Sequence, residues 1–144
     1  MKKLRKIMAF LLALVMALAL CACAKTDPAP SGKTTVGVKD GETVGQGATA
    51  FSVEVKDAEG KTTKFTVQTD EKTVGAALQK LNIISGEDSQ YGLYIKEVTG
   101  ITADYDKDGT YWAFYVDGQY ALTGADLTDV KAGAAYTFAV EKMQ

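Results

Sequence analysis

No cysteine occurs after Cys23 and no histidine occurs anywhere in the 144 residues. Whatever folds beyond residue 23 therefore has no internal disulfide and no imidazole-bound metal to hold it, and must be stabilised by its own apolar core. The same absence removes Ser-His and Cys-His nucleophilic sites and His-based zinc sites from the chemistry open to the chain. Acidic residues are plentiful, but on a small domain they read as a solvated face, and no enzymatic activity and no resident cofactor are expected.

The first 22 residues are read as an export signal. Lys2, Lys3, Arg5 and Lys6 precede fourteen consecutive apolar residues, Ile7 to Leu20. That run is short against the roughly 20 residues of a spanning helix and suits a cleaved apolar region. It closes on Leu20-Cys21-Ala22-Cys23, which resembles the lipobox of bacterial lipoproteins, with small Ala22 before the cysteine. Cys23 is the expected lipidation site; Cys21 competes less well, because bulky Leu20 would precede it. Removing the signal takes four basic residues from 16 and leaves 12 against 18 acidic, a net charge of −6. With no basic cluster, nucleic acid is not an expected partner. Membrane attachment would fall to the lipid, at the outer face of the cell membrane.

Residues 23–48 hold both prolines, Pro28 and Pro30, and are rich in Thr, Gly, Lys and Asp. They are expected to form a flexible tether, with a strand around Thr34 to Val38 as the alternative. The folded domain is expected over residues 49–144. Phe51, Val53 and Val55 alternate with polar residues, as do Phe65 and Val67 after the turn at residues 57–61, which predicts a hairpin with one buried face. Val74, Ala77, Leu78 and Leu81 are spaced as one face of a short helix, which Asp70 or Thr73 could cap. Strands are expected over Leu93 to Val98, Tyr111 to Val116, Tyr120 to Leu122 and Ala135 to Val140, with Asp117-Gly118 as a tight turn. The order implies an α+β fold, a β-grasp-like mixed sheet with one covering helix and with its first and last strands side by side.

Two constellations stand out. Asp104, Asp106 and Asp108 before Gly109 have the spacing that opens a calcium loop, but residue 115, where the closing glutamate belongs, is Tyr115. The EF-hand reading fails there, leaving a looser calcium turn or a plain polar connection. On the aromatic strand, alternation separates Trp112, Phe114 and Val116 from Tyr111, Ala113 and Tyr115. Trp112, Phe114, Phe138, Leu78 and Leu81 are expected in the core. Tyr111 and Tyr115, with Tyr94, are then the candidates for a ligand surface, or else ordinary strand residues.

The run Tyr111-Trp112-Ala113-Phe114-Tyr115-Val116-Asp117-Gly118, then Tyr120-Ala121-Leu122-Thr123-Gly124 and Val130 to Phe138, resembles the transcobalamin-like C-terminal domain family, found in Gram-positive lipoproteins of unknown function. The resemblance covers roughly residues 50 to 144 and implies a module that closes over one side of a corrinoid such as cobalamin. Without histidine, a corrinoid would be held by stacking, apolar contact and hydrogen bonds alone. A protein-interaction or assembly role at the cell envelope is the other expectation.

Overall fold

The computed structural model describes residues 35–144. The expected export signal, Cys23 and the start of the expected tether lie outside the described residues. The fold is mostly β, with short helices. Strands β1 (Thr43–Gly45), β2 (Thr49–Lys56) and β3 (Thr62–Thr69) are followed by helix α1 (Val74–Lys80), then β4 (Ile84–Ser89), β5 (Gly92–Val98) and β6 (Ile101–Thr102). A helical turn α2 (Tyr105–Asp108), β7 (Thr110–Val116), β8 (Gln119–Tyr120), a 3-10 turn (Ala125–Leu127) and β9 (Ala135–Lys142) complete the chain.

Six strands form one sheet in the order β1-β3-β2-β9-β7-β8, and β4-β5-β6 form a second. The alternation in β2 and β3 becomes an antiparallel hairpin with Phe51 opposite Val67 and Val53 opposite Phe65. Its turn is closed by the Asp57 carboxylate, which accepts the backbone N–H groups of Glu59 and Lys61. β2 then pairs in parallel with β9, Val53 opposite Tyr136 and Val55 opposite Phe138, so the first long strand and the last do lie side by side. β7 joins β9 antiparallel, with Phe114 opposite Phe138. Asp117 and Gly118 have φ values of 48° and 81°, the two positive angles that a tight hairpin turn requires.

These registers put Phe51, Val53, Val55, Phe65, Val67, Trp112, Phe114, Tyr136 and Phe138 on one face of the large sheet, all buried. The rings of Phe114 and Phe138 stack with centroids 5.0 Å apart, and Phe51 meets Tyr136 edge-on at 5.2 Å, contacts that add to the gain from burial. α1 contributes Val74, Ala77 and Leu78 to this core. Seven residues are too few for a helix to persist alone, so this packing and the Thr73 side chain, which accepts the N–H of Ala76, hold it.

Four expectations need correction. The large sheet is not covered by one helix: β5 of the second sheet also lies against it, contributing buried Ile95 and Val98 to the same core. β4 was not expected; its Gly86, Glu87, Asp88 and Ser89 are exposed, and backbone pairing to β5 holds them without any apolar alternation. Residues 35–48 are not a free tether, since β1 pairs in parallel with β3, and the carboxylates of Asp40 and Asp70 accept the N–H groups of Lys64 and Ala48. Polar bonds order this segment where few apolar side chains could. Leu81, expected in the core, packs half-buried at its margin.

Candidate functional site

The face of the large sheet opposite the core carries Tyr111 and Tyr115, as the alternation predicts. Both phenols donate to one carboxylate across the β7–β9 ladder: Tyr111 to Glu141 Oε2 at 3.1 Å and Tyr115 to Glu141 Oε1. Hydrogen bonding to Glu141 pushes the Tyr115 phenol up to about 12 and raises that of Tyr111, because the bond is made only by the protonated hydroxyl. Tyr120 meets the Tyr115 ring edge-on at 5.5 Å. Beside them a shallow groove of about 510 Å³ runs past Glu54, Lys56, Thr137 and Glu141. Tyr94, the third candidate, stands apart from this cluster, 41% exposed on β5 of the second sheet.

A second groove, of about 740 Å³, opens on the other side of β7. Trp112 and Phe114 form its floor, each 8% exposed. One wall is the tip of the β4–β5 hairpin, Gln90, Tyr91 and Gly92; the other is the chain after β7, Tyr120 to Gly124, with Leu127. Tyr91 is 82% exposed and Leu122 is 100% exposed, with Leu127 also outward, whereas the ring of Tyr120 turns to Tyr115 on the other face. Large apolar side chains left in water around a concave aromatic floor mark a binding surface. The indole is oriented by its Nε1, which donates to the Lys96 carbonyl at 3.2 Å, and so the ring is anchored between the sheets.

The two walls are tied together by Asp126 in the 3-10 turn, whose Oδ2 accepts the backbone N–H of Leu93 at 3.1 Å. Its other oxygen, Oδ1, is buried and has no hydrogen-bond partner. Gly92 and Gly124 flank the carboxylate so closely that a Cβ on either would come within 2.7 Å of one of its oxygens.

The three aspartates before β7 do not converge. Asp104 caps α2 by accepting the N–H of Asp106, and Asp108 accepts both the N–H and the hydroxyl of Thr110. Gly109 ends the turn at φ 72°. Among the described residues no three His, Cys, Asp or Glu side chains form a group able to hold a metal ion.

Sequence reasoning placed Trp112 and Phe114 in the core, where they are, but missed that their exposed edges floor a groove. Leu122 was expected in a short strand, Tyr120 to Leu122, but that strand is Gln119–Tyr120 and Leu122 lies beyond it, fully exposed. Asp126 gave no signal.

No curated protein matches the chain. Among solved structures, a protein from Ruminococcus gnavus for which metal binding has been suggested aligns at 30% identity and a TM-score of 0.64, over 67% of this chain and 100% of its own. Haptocorrin in complex with Cbi aligns at 23% identity and a TM-score of 0.50, over 67% of this chain. The chain spans only 26% of haptocorrin's length, and at that identity the likeness is one of fold. A family model matches residues 71–142, from the start of α1 to the end of β9. The chain thus belongs to the family described as Domain of unknown function (DUF4430), with a fold shared with a module of haptocorrin.

Proposed function

We propose that this protein is a lipid-anchored extracytoplasmic binding module of β-grasp type, which captures a small planar ligand such as a corrinoid in the groove floored by Trp112 and Phe114. The observation that carries the reading is the set of exposed apolar side chains, Tyr91, Leu122 and Leu127, around that aromatic floor. The fold likeness to haptocorrin, a protein seen with Cbi, supports corrinoids as the first probes. Because the chain corresponds to a quarter of haptocorrin, it would cover one side of such a ligand. It would gain less buried area against the same association cost, so affinity should be micromolar or weaker, on the order of −8 kcal/mol at most. Metal binding is not carried over from the Ruminococcus gnavus relative, since the described residues offer no ligand group for it.

Calorimetry with cyanocobalamin and cobinamide tests the reading. Binding that Leu122→Ser weakens and that Tyr111→Ala and Tyr115→Ala leave alone supports the groove. Binding lost only in the two tyrosine variants moves the ligand to the open face, and no heat at millimolar ligand removes the corrinoid. A protein partner at the cell envelope is the second reading, favoured by the complete exposure of Leu122. Anchoring is tested by membrane fractionation: Cys23→Ala should release the exported protein and Cys21→Ala should not.

A further inference from the structure

The aromatic groove offers a ligand large apolar surfaces, but orientation in such sites comes from a few placed polar groups. One buried side-chain oxygen beside it has no partner: Oδ1 of Asp126. Buried carboxylate oxygens are almost always hydrogen-bonded, because the desolvation cost of leaving one unpaired is not recovered elsewhere. Asp126 is not loosely placed, since its Oδ2 is fixed by the Leu93 N–H at 3.1 Å. The carboxylate lies between Gly92 and Gly124, both of which line the groove. A Cβ at Gly92 would stand 2.7 Å from Oδ2, and one at Gly124 would stand 2.7 Å from Oδ1. Two residues without side chains therefore separate the unpaired oxygen from the groove, and any larger residue would seal it off.

We infer that Asp126 Oδ1 is the polar contact of this groove, accepting a hydrogen bond from an N–H or O–H on an otherwise apolar, planar ligand. The inference rests on the groove being the ligand site and adds the class of ligand it selects: one with a donor at its rim, such as a primary amide. Oδ1 is covered in the structure, so admitting the donor requires the tip of the β4–β5 hairpin to move outward. That tip is a four-residue turn whose Tyr91 is 82% exposed.

The test uses the full-length chain in lipid nanodiscs, with empty nanodiscs subtracted, and two planar probes of nearly equal apolar area. 2-Naphthamide carries N–H donors; methyl 2-naphthoate, planar and close to it in size, carries none. Calorimetry should show the primary amide binding about tenfold tighter or more, the range expected for a hydrogen bond to a charged group. Asp126→Asn keeps a carbonyl for the Leu93 N–H but replaces the free acceptor with a donor. It should abolish the preference and leave the melting temperature unchanged or raised. Should that variant fail to fold, Gly124→Ala decides: a φ of −66° suits alanine, and its methyl, 2.7 Å from Oδ1, displaces that oxygen from the approach; it too should abolish the preference. A preference for the primary amide that survives either folded variant, or the absence of binding by both probes, overturns the inference. Cobinamide is titrated in parallel. If it fails to bind while the amide preference holds, the corrinoid reading falls and the Asp126 contact stands; if it binds and no amide preference exists, only the Asp126 contact falls.

Discussion

On one face of β7, Tyr111 and Tyr115 direct both hydroxyls at Glu141, while on the other face Trp112 and Phe114 bury most of their area and leave an edge each to a groove. Both faces carry aromatic rings, but the open-face rings already have partners for their polar ends. The groove-side rings are bordered by Tyr91, Leu122 and Leu127, apolar side chains left exposed. An exposed aromatic cluster is thus better judged by what its neighbours leave unsatisfied than by its accessibility. By that measure Leu122, fully exposed, and Asp126 Oδ1, buried and unpaired, point to the groove.

The contrast can be broken most forcefully at Trp112. Its truncation to alanine should cost about 3–5 kcal/mol in denaturant unfolding, as for other large-to-small aromatic changes in cores; a variant melting within a few degrees of wild type would make the indole a surface ligand platform only. Gly92→Ala follows, at about 1–3 kcal/mol, because φ there is +103° and the methyl would meet the Asp126 carboxylate. An unchanged melting temperature would show that the hairpin tip is not held against the 3-10 turn.

Tyr115→Phe removes one of the two phenols from Glu141 and should cost about 1 kcal/mol. It also carries a pH signature. The folded-state value near 12 lies above the ordinary value of 10.0, so the hydrogen bond stabilises fully below about pH 10, and that stability is lost as pH rises toward 12. The wild type should lose stability across that window more steeply than Tyr115→Phe; equal slopes would mean that Glu141 does not bind this phenol. The smallest change in stability, within about 0.5 kcal/mol, is expected for Leu122→Ser. Its effect should appear instead in ligand titration, and a variant that binds as well as wild type would shift attention to the open face.

The sheet was legible wherever apolar period-two alternation reports a buried face, as in β2, β3, β7 and β9, and the helix wherever Val74, Ala77 and Leu78 share one stripe. The parallel placement of the first long strand against the last followed from element order. β4 was not legible, because Gly86 to Ser89 are exposed and join the sheet through their backbones. β1 was hidden because it is three residues long, with Val44 its one apolar side chain against the core. The groove escaped because its walls come from two loops distant in sequence, Gln90 to Gly92 and Tyr120 to Leu127, brought together by one carboxylate. Neither loop has a periodicity to read.

The parallel pairing of β2 with β9 also governs when this domain can form. Ser52 lies opposite Ala135, so the middle of the sheet joins residues from near opposite ends of the folded region, and loop closure over that span precedes any reward from the pairing. During synthesis the β2–β3 hairpin can assemble early, but its free edge waits for the last strand to leave the ribosome. A chain clipped before Ala135 would lose a central strand, separating the hairpin half from the β7 half. The ends of this domain are therefore where its cooperativity resides, and proteolysis near the C-terminus should act as an all-or-none event.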